Sequence, residues 1–198
     1  MPSPGHGLDP LPPIRDGLMI LFLIGFRGTG KTTIGRHLAE SLECPWWDSD
    51  QEIQRQTGST IAEIFAARGE SGFRELEQQI VADVIEQATS PATPAIVSLG
   101  GGSLLTEATR NLVRQQGHCV WLQASAACLV RRIQVSQSQT PRPALTELGL
   151  EQEVATLMGQ RTPVYSDCAD YRIDTEQLTL PECVDQIVEW WRGVDKVR

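Results

Sequence analysis

The chain has 198 residues, 40% of them hydrophobic, and a formal net charge of −8. That length suits one α/β domain with a sizeable core, and the acidic balance argues against broad binding to nucleic acid or to an anionic membrane surface. No apolar stretch approaches the ~20 residues a membrane-spanning helix needs. Residues 2–13 hold five prolines and two glycines, with no basic segment leading into an apolar core, so this end does not read as a secretory signal. Residues 1–17 are expected to form a flexible leader, followed by a single domain over 18–198. Five cysteines, Cys44, Cys119, Cys128, Cys168 and Cys183, make no C-x-x-C pair and join no histidine cluster, which fits reduced thiols in a cytoplasmic protein.

Met19–Ile24 is a short, continuous apolar run, as expected of a buried parallel strand. Ile34, Leu38 and Leu42 then recur at helical spacing, so strand, loop and helix cover about 19–43. Pro45-Trp46-Trp47 is an apolar segment leading into Asp48-Ser49-Asp50. Short helices are expected over 51–56 and 60–68, broken at Thr57-Gly58, and a longer one over 72–88. Ser90–Pro94 reads as a turn and Ala95–Leu99 as a strand ending in Gly100-Gly101-Gly102. A helix near 106–116, a strand at Cys119–Leu122 and a helix to about 133, capped by Ser125, follow. Gln134 to Leu145 has no apolar periodicity and is expected to be a long loop, within a lid over about 134–149. A helix near 150–160 should end at Gln160–Pro163. Tyr171–Asp174 is the last strand. Pro181 suits the first turn of a closing helix with Val184, Ile187, Val188 and Trp191 inward. The alternation predicts an α/β fold, a five-stranded parallel sheet between two layers of helices.

Three constellations carry chemistry. Gly25-Phe26-Arg27-Gly28-Thr29-Gly30-Lys31-Thr32 matches the phosphate-binding pattern G-x-x-x-x-G-K-[ST] at every position. Its glycines let backbone N–H groups converge on an anion, Lys31 can reach the β- and γ-phosphates, and the Thr32 hydroxyl can coordinate Mg²⁺. Asp48 and Asp50, one residue apart on extended chain, should face opposite ways and do different work: one beside Mg²⁺ or its waters, one accepting a proton from an acceptor hydroxyl. Triple glycine at a strand end suggests close approach to the backbone. Arg74 and Glu77 share a helix side, either as an ordinary ion pair or with Glu77 orienting Arg74 toward an anion. Arg142 and Arg161 are further candidates for phosphate or carboxylate. His37 and His118 look peripheral, and phosphoryl transfer needs no covalent nucleophile.

These residues, in this order, resemble the shikimate kinase family. The matching runs are G-F-R-G-T-G-K-T at 25–32, D-S-D-Q-E-I at 48–53, T-G-S-T-I-A-E-I-F at 57–65, G-E-S-G-F-R-E-L-E at 69–77, G-G-G at 100–102, R-P at 142–143 and R-T-P-V-Y at 161–165. The resemblance implies a P-loop kinase fold with a mobile lid, and transfer of the γ-phosphoryl group of ATP to the 3-hydroxyl of shikimate in aromatic amino acid biosynthesis. It implies that Gly28, Thr29, Gly30, Lys31, Thr32 and Thr33 bind ATP, with Thr32 and Asp48 serving Mg²⁺. Asp50 would meet the shikimate hydroxyls and act as base. Arg74 and Arg161 would grip the carboxylate, and Gly100, Gly101 and Gly102 would offer backbone N–H groups. Arg142 would close over the ATP phosphates and Arg132 would lie near the adenine. Lys31, Asp50 and Arg142 are thus the expected catalytic set, in a cytoplasmic monomer whose partners are ATP and shikimate. The sequence departs from the family pattern at Trp46-Trp47, Ser98-Leu99 and Ala144-Leu145. A gluconate kinase, whose substrate also carries a carboxylate and hydroxyls, and a non-catalytic nucleotide-binding module are the competing readings.

Overall fold

Five short, mostly buried segments assemble into one sheet. The computed structural model describes residues 20–89, 94–137 and 149–195. The strands are β1 (Ile20–Ile24), β2 (Trp46–Asp48), β3 (Ala95–Ser98), β4 (Gly117–Gln123) and β5 (Tyr171–Asp174), and the helices are α1 (Lys31–Leu42), α2 (Ser49–Thr57), α3 (Ile61–Thr89), α4 (Glu107–Gln116), α5 (Ala126–Gln137), α6 (Leu150–Cys168) and α7 (Leu180–Asp195). The sheet order is β2-β3-β1-β4-β5 and every pairing is parallel.

The period-2 alternation of strands divides the core in two. Ile20, Phe22 and Ile24 of β1 face α2, α3 and α4, with Ile53, Ile80, Val84 and Val113 packed against them. Leu21 and Leu23 face α1 and α7, against Ile34, Leu38, Ile187 and Trp191. A third cluster, Phe26, Leu129, Val130, Ile133 and Val154, joins α5 and α6 beside the phosphate loop. This is the three-layer α/β/α fold expected from the alternation of elements.

The topology also places the site. From β1 the chain crosses through α1 on one face; from β3 it crosses through α4 on the other. In open parallel sheets ligands bind beyond the strand ends at such a reversal. The reversal lies between neighbours β1 and β3, so the loop 25–30 and the triple glycine 100–102 stand side by side.

The two helices expected over 60–68 and 72–88 are both present as the two halves of α3, which meet at Gly69 with non-helical φ 67° and ψ −176°; glycine tolerates that positive φ. Some expectations are corrected. The helix expected to stop at Gln160–Pro163 runs on to Cys168. Proline costs it one hydrogen bond, but Pro163 is exposed, where water serves the freed carbonyl, while Arg161, Tyr165 and Cys168 are buried. Helix α5 extends through Gln137, so 134–137 is helix, not loop. His118, expected to be peripheral, lies in β4 with no exposed surface; it is remote from the motifs but is a core residue. Met19, the leader at 1–17, the turn at 90–93, and Arg142 with residues 138–148 of the expected lid lie outside the described residues. No described helix is long and apolar enough to cross a membrane.

Candidate active site

Strand β1 ends at Ile24, and the loop reaches α1 through Gly30, the helix N-cap at φ 93°. A β-carbon strains at that angle, so the second glycine of the motif is a backbone requirement. The N–H groups of the first helical turn point into the loop, where the helix dipole favours an anion. The Lys31 ammonium curls back over the loop, its Nζ donating to the carbonyls of Gly25 and Phe26 at 2.9 Å each. Thr29 is buried, its hydroxyl donating to the Phe26 carbonyl at 2.8 Å. Gly28, Gly30, Lys31, Thr32 and Thr33 border a cavity of about 450 Å³.

The backbone between the two aspartates differs from expectation. The chain is not extended between them: β2 stops at Asp48, which caps α2 by accepting the N–H groups of Asp50 (3.0 Å) and Gln51 (3.2 Å) through Oδ1. Aspartate is a strong N-cap, so the same residue that ends the strand starts the helix. Its other oxygen, Oδ2, accepts the Thr32 hydroxyl at 2.6 Å. Burial raises the Asp48 carboxyl above the ordinary aspartate value, against the opposing bond from Thr32. Asp50, in the first turn of α2, lines both the large cavity and a second one of about 80 Å³.

That second cavity is walled by Arg74, Glu77, Arg161 and Phe73. Arg74 Nη1 meets Glu77 Oε2 at 2.5 Å, and its guanidinium lies over the Phe73 ring, 5.3 Å from the centroid. Glu77 is only 3% exposed and also accepts the Ser103 hydroxyl at 2.8 Å; burial pushes its carboxyl upward. Glu77 is thus fixed from two sides and holds Arg74 at the cavity wall. Arg161 arrives from the middle of α6, not from a helix end. It is buried, donates to the Gly101 carbonyl at 3.3 Å and sits 5.4 Å from the Phe26 ring centroid.

The triple glycine fills the space between these groups. A β-carbon on Gly100 would lie 2.6 Å from Asp50 Oδ1, and one on Gly102 would lie 2.4 Å from Arg74 Nη1. The Gly100 N–H is occupied by the Ser49 hydroxyl at 2.8 Å, which leaves Gly101 and Gly102 as the glycines that can face a ligand. The Gly101 carbonyl accepts Tyr165 Oη at 2.5 Å, and burial holds the Tyr165 phenol protonated, its pKa pushed up to about 12. Gly102→Ala is therefore expected to push the Arg74 guanidinium aside without unfolding the chain. The acceptor KM should rise about tenfold, equivalent to losing one charge-assisted hydrogen bond, with the ATP KM little changed; parallel steady-state titrations of both substrates check this.

Arg132 lines the large cavity and donates to Thr175 Oγ1 (2.9 Å) and the Thr175 carbonyl (2.6 Å), with a longer bond to the Gly28 carbonyl at 3.3 Å. It thus joins the phosphate loop to the segment after β5. The departures at Trp46 and Ser98 prove to be one feature. Trp46 Nε1 donates to Ser98 Oγ at 3.0 Å, and that hydroxyl donates to the Lys31 carbonyl at 3.1 Å. A β-carbon on Gly35 would strike both groups, at 2.5 and 2.6 Å. Sequence reasoning missed Ser49, Ser103 and the pair Arg27–Glu153, because their partners are far away in the chain and no local spacing marks them.

A phosphate loop at the reversal point of a parallel sheet, opening through a shared aspartate into a pocket with two arginines, defines a P-loop small-molecule kinase. The family model described as shikimate kinase matches residues 27–192. The shikimate kinase of Pseudoalteromonas atlantica is 38% identical over 85% of this chain and 94% of its own length, and that of Rhodococcus jostii is 41% identical over 84% and 94%. The shikimate kinase of Acinetobacter baumannii, solved in complex with shikimate, superposes with a TM-score of 0.80 at 32% identity, covering 90% of this chain and 95% of that one. The chain belongs to the shikimate kinase family, and its activity is that family's ATP-dependent phosphoryl transfer to shikimate.

Proposed function

We propose that the two cavities hold the two substrates and that Asp50, at their junction, is the base. The observation that carries this reading is that Asp50 borders both spaces. Lys31 and the N–H groups at the start of α1 bind the β- and γ-phosphates in the larger cavity, and Arg132 with Thr33 lies along the nucleoside. Arg74 and Arg161 hold the shikimate carboxylate in the smaller cavity, a task suited to planar guanidinium groups, and Gly101 and Gly102 lie against the ring hydroxyls. Asp50 accepts the proton of the 3-hydroxyl while that oxygen bonds the γ-phosphorus and the bond to the β-bridging oxygen breaks. The products are shikimate 3-phosphate and ADP.

Thr32 and Asp48 fit Mg²⁺: both offer oxygen, and the desolvated Asp48 carboxyl is a group a cation would favour in its charged form. Among the described residues no cluster of three or more His, Cys, Asp or Glu side chains is placed to hold a metal. Two protein ligands suit Mg²⁺ that is bound largely through nucleotide oxygens and water. When bound, it neutralises charge on the phosphates.

Arg142 as an ATP-phosphate ligand and a lid over about 134–149 belong to the same reading and are supported by the sequence match alone. A cytoplasmic monomer fits it too: the five cysteines form no disulfide with one another, and Leu105 and Val135 are the exposed large hydrophobic residues among those described. The test is ADP release from Mg·ATP with and without shikimate, with gluconate as the control acceptor. Release that needs shikimate supports the reading; equal release with gluconate overturns the acceptor assignment.

A further inference from the structure

Arg27 occupies one of the unspecified positions of the phosphate loop, where the motif asks for no particular side chain. Its place in the fold is nevertheless special. The large and the small cavity share three bordering residues: Asp50, Gly101 and Arg27. The γ-phosphoryl group must pass between donor and acceptor at that junction, which an acidic and a basic residue both border.

Arg27 is also held in place. Its Nη2 donates to Glu153 Oε1 at 2.5 Å, with the two side chains 14% and 1% exposed. Glu153 comes from the first turn of α6, the helix that also supplies Arg161 and Tyr165, so one helix anchors Arg27 and walls the acceptor pocket. A buried carboxylate is costly unless it is paired, which makes Glu153 a stiff anchor. A guanidinium presents five N–H donors in a planar fork that suits phosphate oxygens.

We propose that Arg27 is a further cation of the transfer site, binding the γ-phosphoryl oxygens between nucleotide and acceptor, and that Glu153 is its positioning residue. The inference rests on the division of roles proposed above. Charge on the transferring group spreads over its three equatorial oxygens in the transition state, and fixed positive charge at that point accelerates transfer.

The test compares Arg27→Ala, Arg27→Lys and Glu153→Gln with the parent enzyme. The quantities are kcat, Mg·ATP affinity by equilibrium titration without shikimate, thermal midpoint, and affinity for ADP with aluminium fluoride in the presence of shikimate. Arg27→Ala is expected to lower kcat about 100- to 1,000-fold, the usual cost of one preorganised donor, with Mg·ATP affinity within about threefold. The aluminium fluoride complex should weaken in step with kcat. Arg27→Lys should recover part of the loss, since it keeps the charge but not the planar fork. Glu153→Gln should lower kcat less than Arg27→Ala, because the guanidinium stays but loses its anchor.

An Arg27→Ala enzyme within about threefold of the parent kcat overturns the proposal. So does a kcat loss matched by an equal loss of Mg·ATP affinity, or one that leaves the aluminium fluoride complex unchanged; Arg27–Glu153 would then be a staple between loop and helix. Should Arg27→Ala fail to fold, Arg27→Gln, which keeps a hydrogen-bonding group toward Glu153, reads the same quantities. A parent enzyme that releases no ADP with shikimate overturns the kinase reading itself, whereas an active parent with a fully active Arg27→Ala overturns only the role of Arg27.

Discussion

Asp50→Asn is expected to lower kcat about 100- to 10,000-fold, the range for losing a general base, while Mg·ATP affinity stays near that of the parent. Asparagine keeps the size and the position in the first turn of α2, and Asp48 still caps that helix through the backbone N–H of residue 50. What goes is the capacity to take a proton. The separation of effects follows from the conservative change: Lys31 keeps its bonds to the Gly25 and Phe26 carbonyls, and Thr32 its bond to Asp48. Steady-state kinetics with both substrates, together with a direct nucleotide titration, measure the two quantities. A turnover close to the parent's would remove Asp50 from the chemistry and leave it a hydroxyl ligand.

Arg161→Ala is expected to raise the shikimate KM by about 30-fold or more, with the ATP KM changed much less. Truncating one member of a buried charge pair costs about 2–5 kcal/mol, and tenfold in affinity is about 1.4 kcal/mol. Arg161 is buried, and its position is fixed by the Gly101 carbonyl and the Phe26 ring. The loss should therefore fall on the substrate carboxylate. Phe26 belongs to the phosphate loop, which sets the control: if loss of Arg161 disturbed the loop, both KM values would rise together. Arg161→Lys should recover only part of the affinity, because an ammonium cannot make the bidentate contact.

Much of this site could be read from the chain because its parts are local. The phosphate loop is eight consecutive residues whose backbone angles are set by their own glycines, and Gly30 adopts the left-handed angle that the motif requires. The sheet strands were legible for a similar reason: a parallel strand buried on both faces has no polar side, so an apolar run announces it. The misread elements were those where distant contacts overrode local propensity. Pro163 reads as a helix stop, yet the burial of Arg161, Tyr165 and Cys168 carries α6 past it. Asp48-Ser49-Asp50 reads as extended chain, yet the Asp48 side chain turns it into a helix within one residue.

By itself, the sequence determined the fold class, the phosphate loop with Lys31 and Thr32, and the residue types a carboxylate-bearing alcohol would need, since each is encoded in short-range pattern and chemistry. Tertiary structure alone decided that Glu77 is pinned by Ser103, that Gly100 is committed to Ser49, that Trp46 and Ser98 jointly brace the Lys31 carbonyl, and that Arg27 meets Glu153 across 126 positions of chain. The physical reason is common to all four. Each is a hydrogen bond formed by side chains that a folded sheet and its helices bring together, and a buried donor or acceptor finds its partner by proximity in space, which no spacing along the chain records.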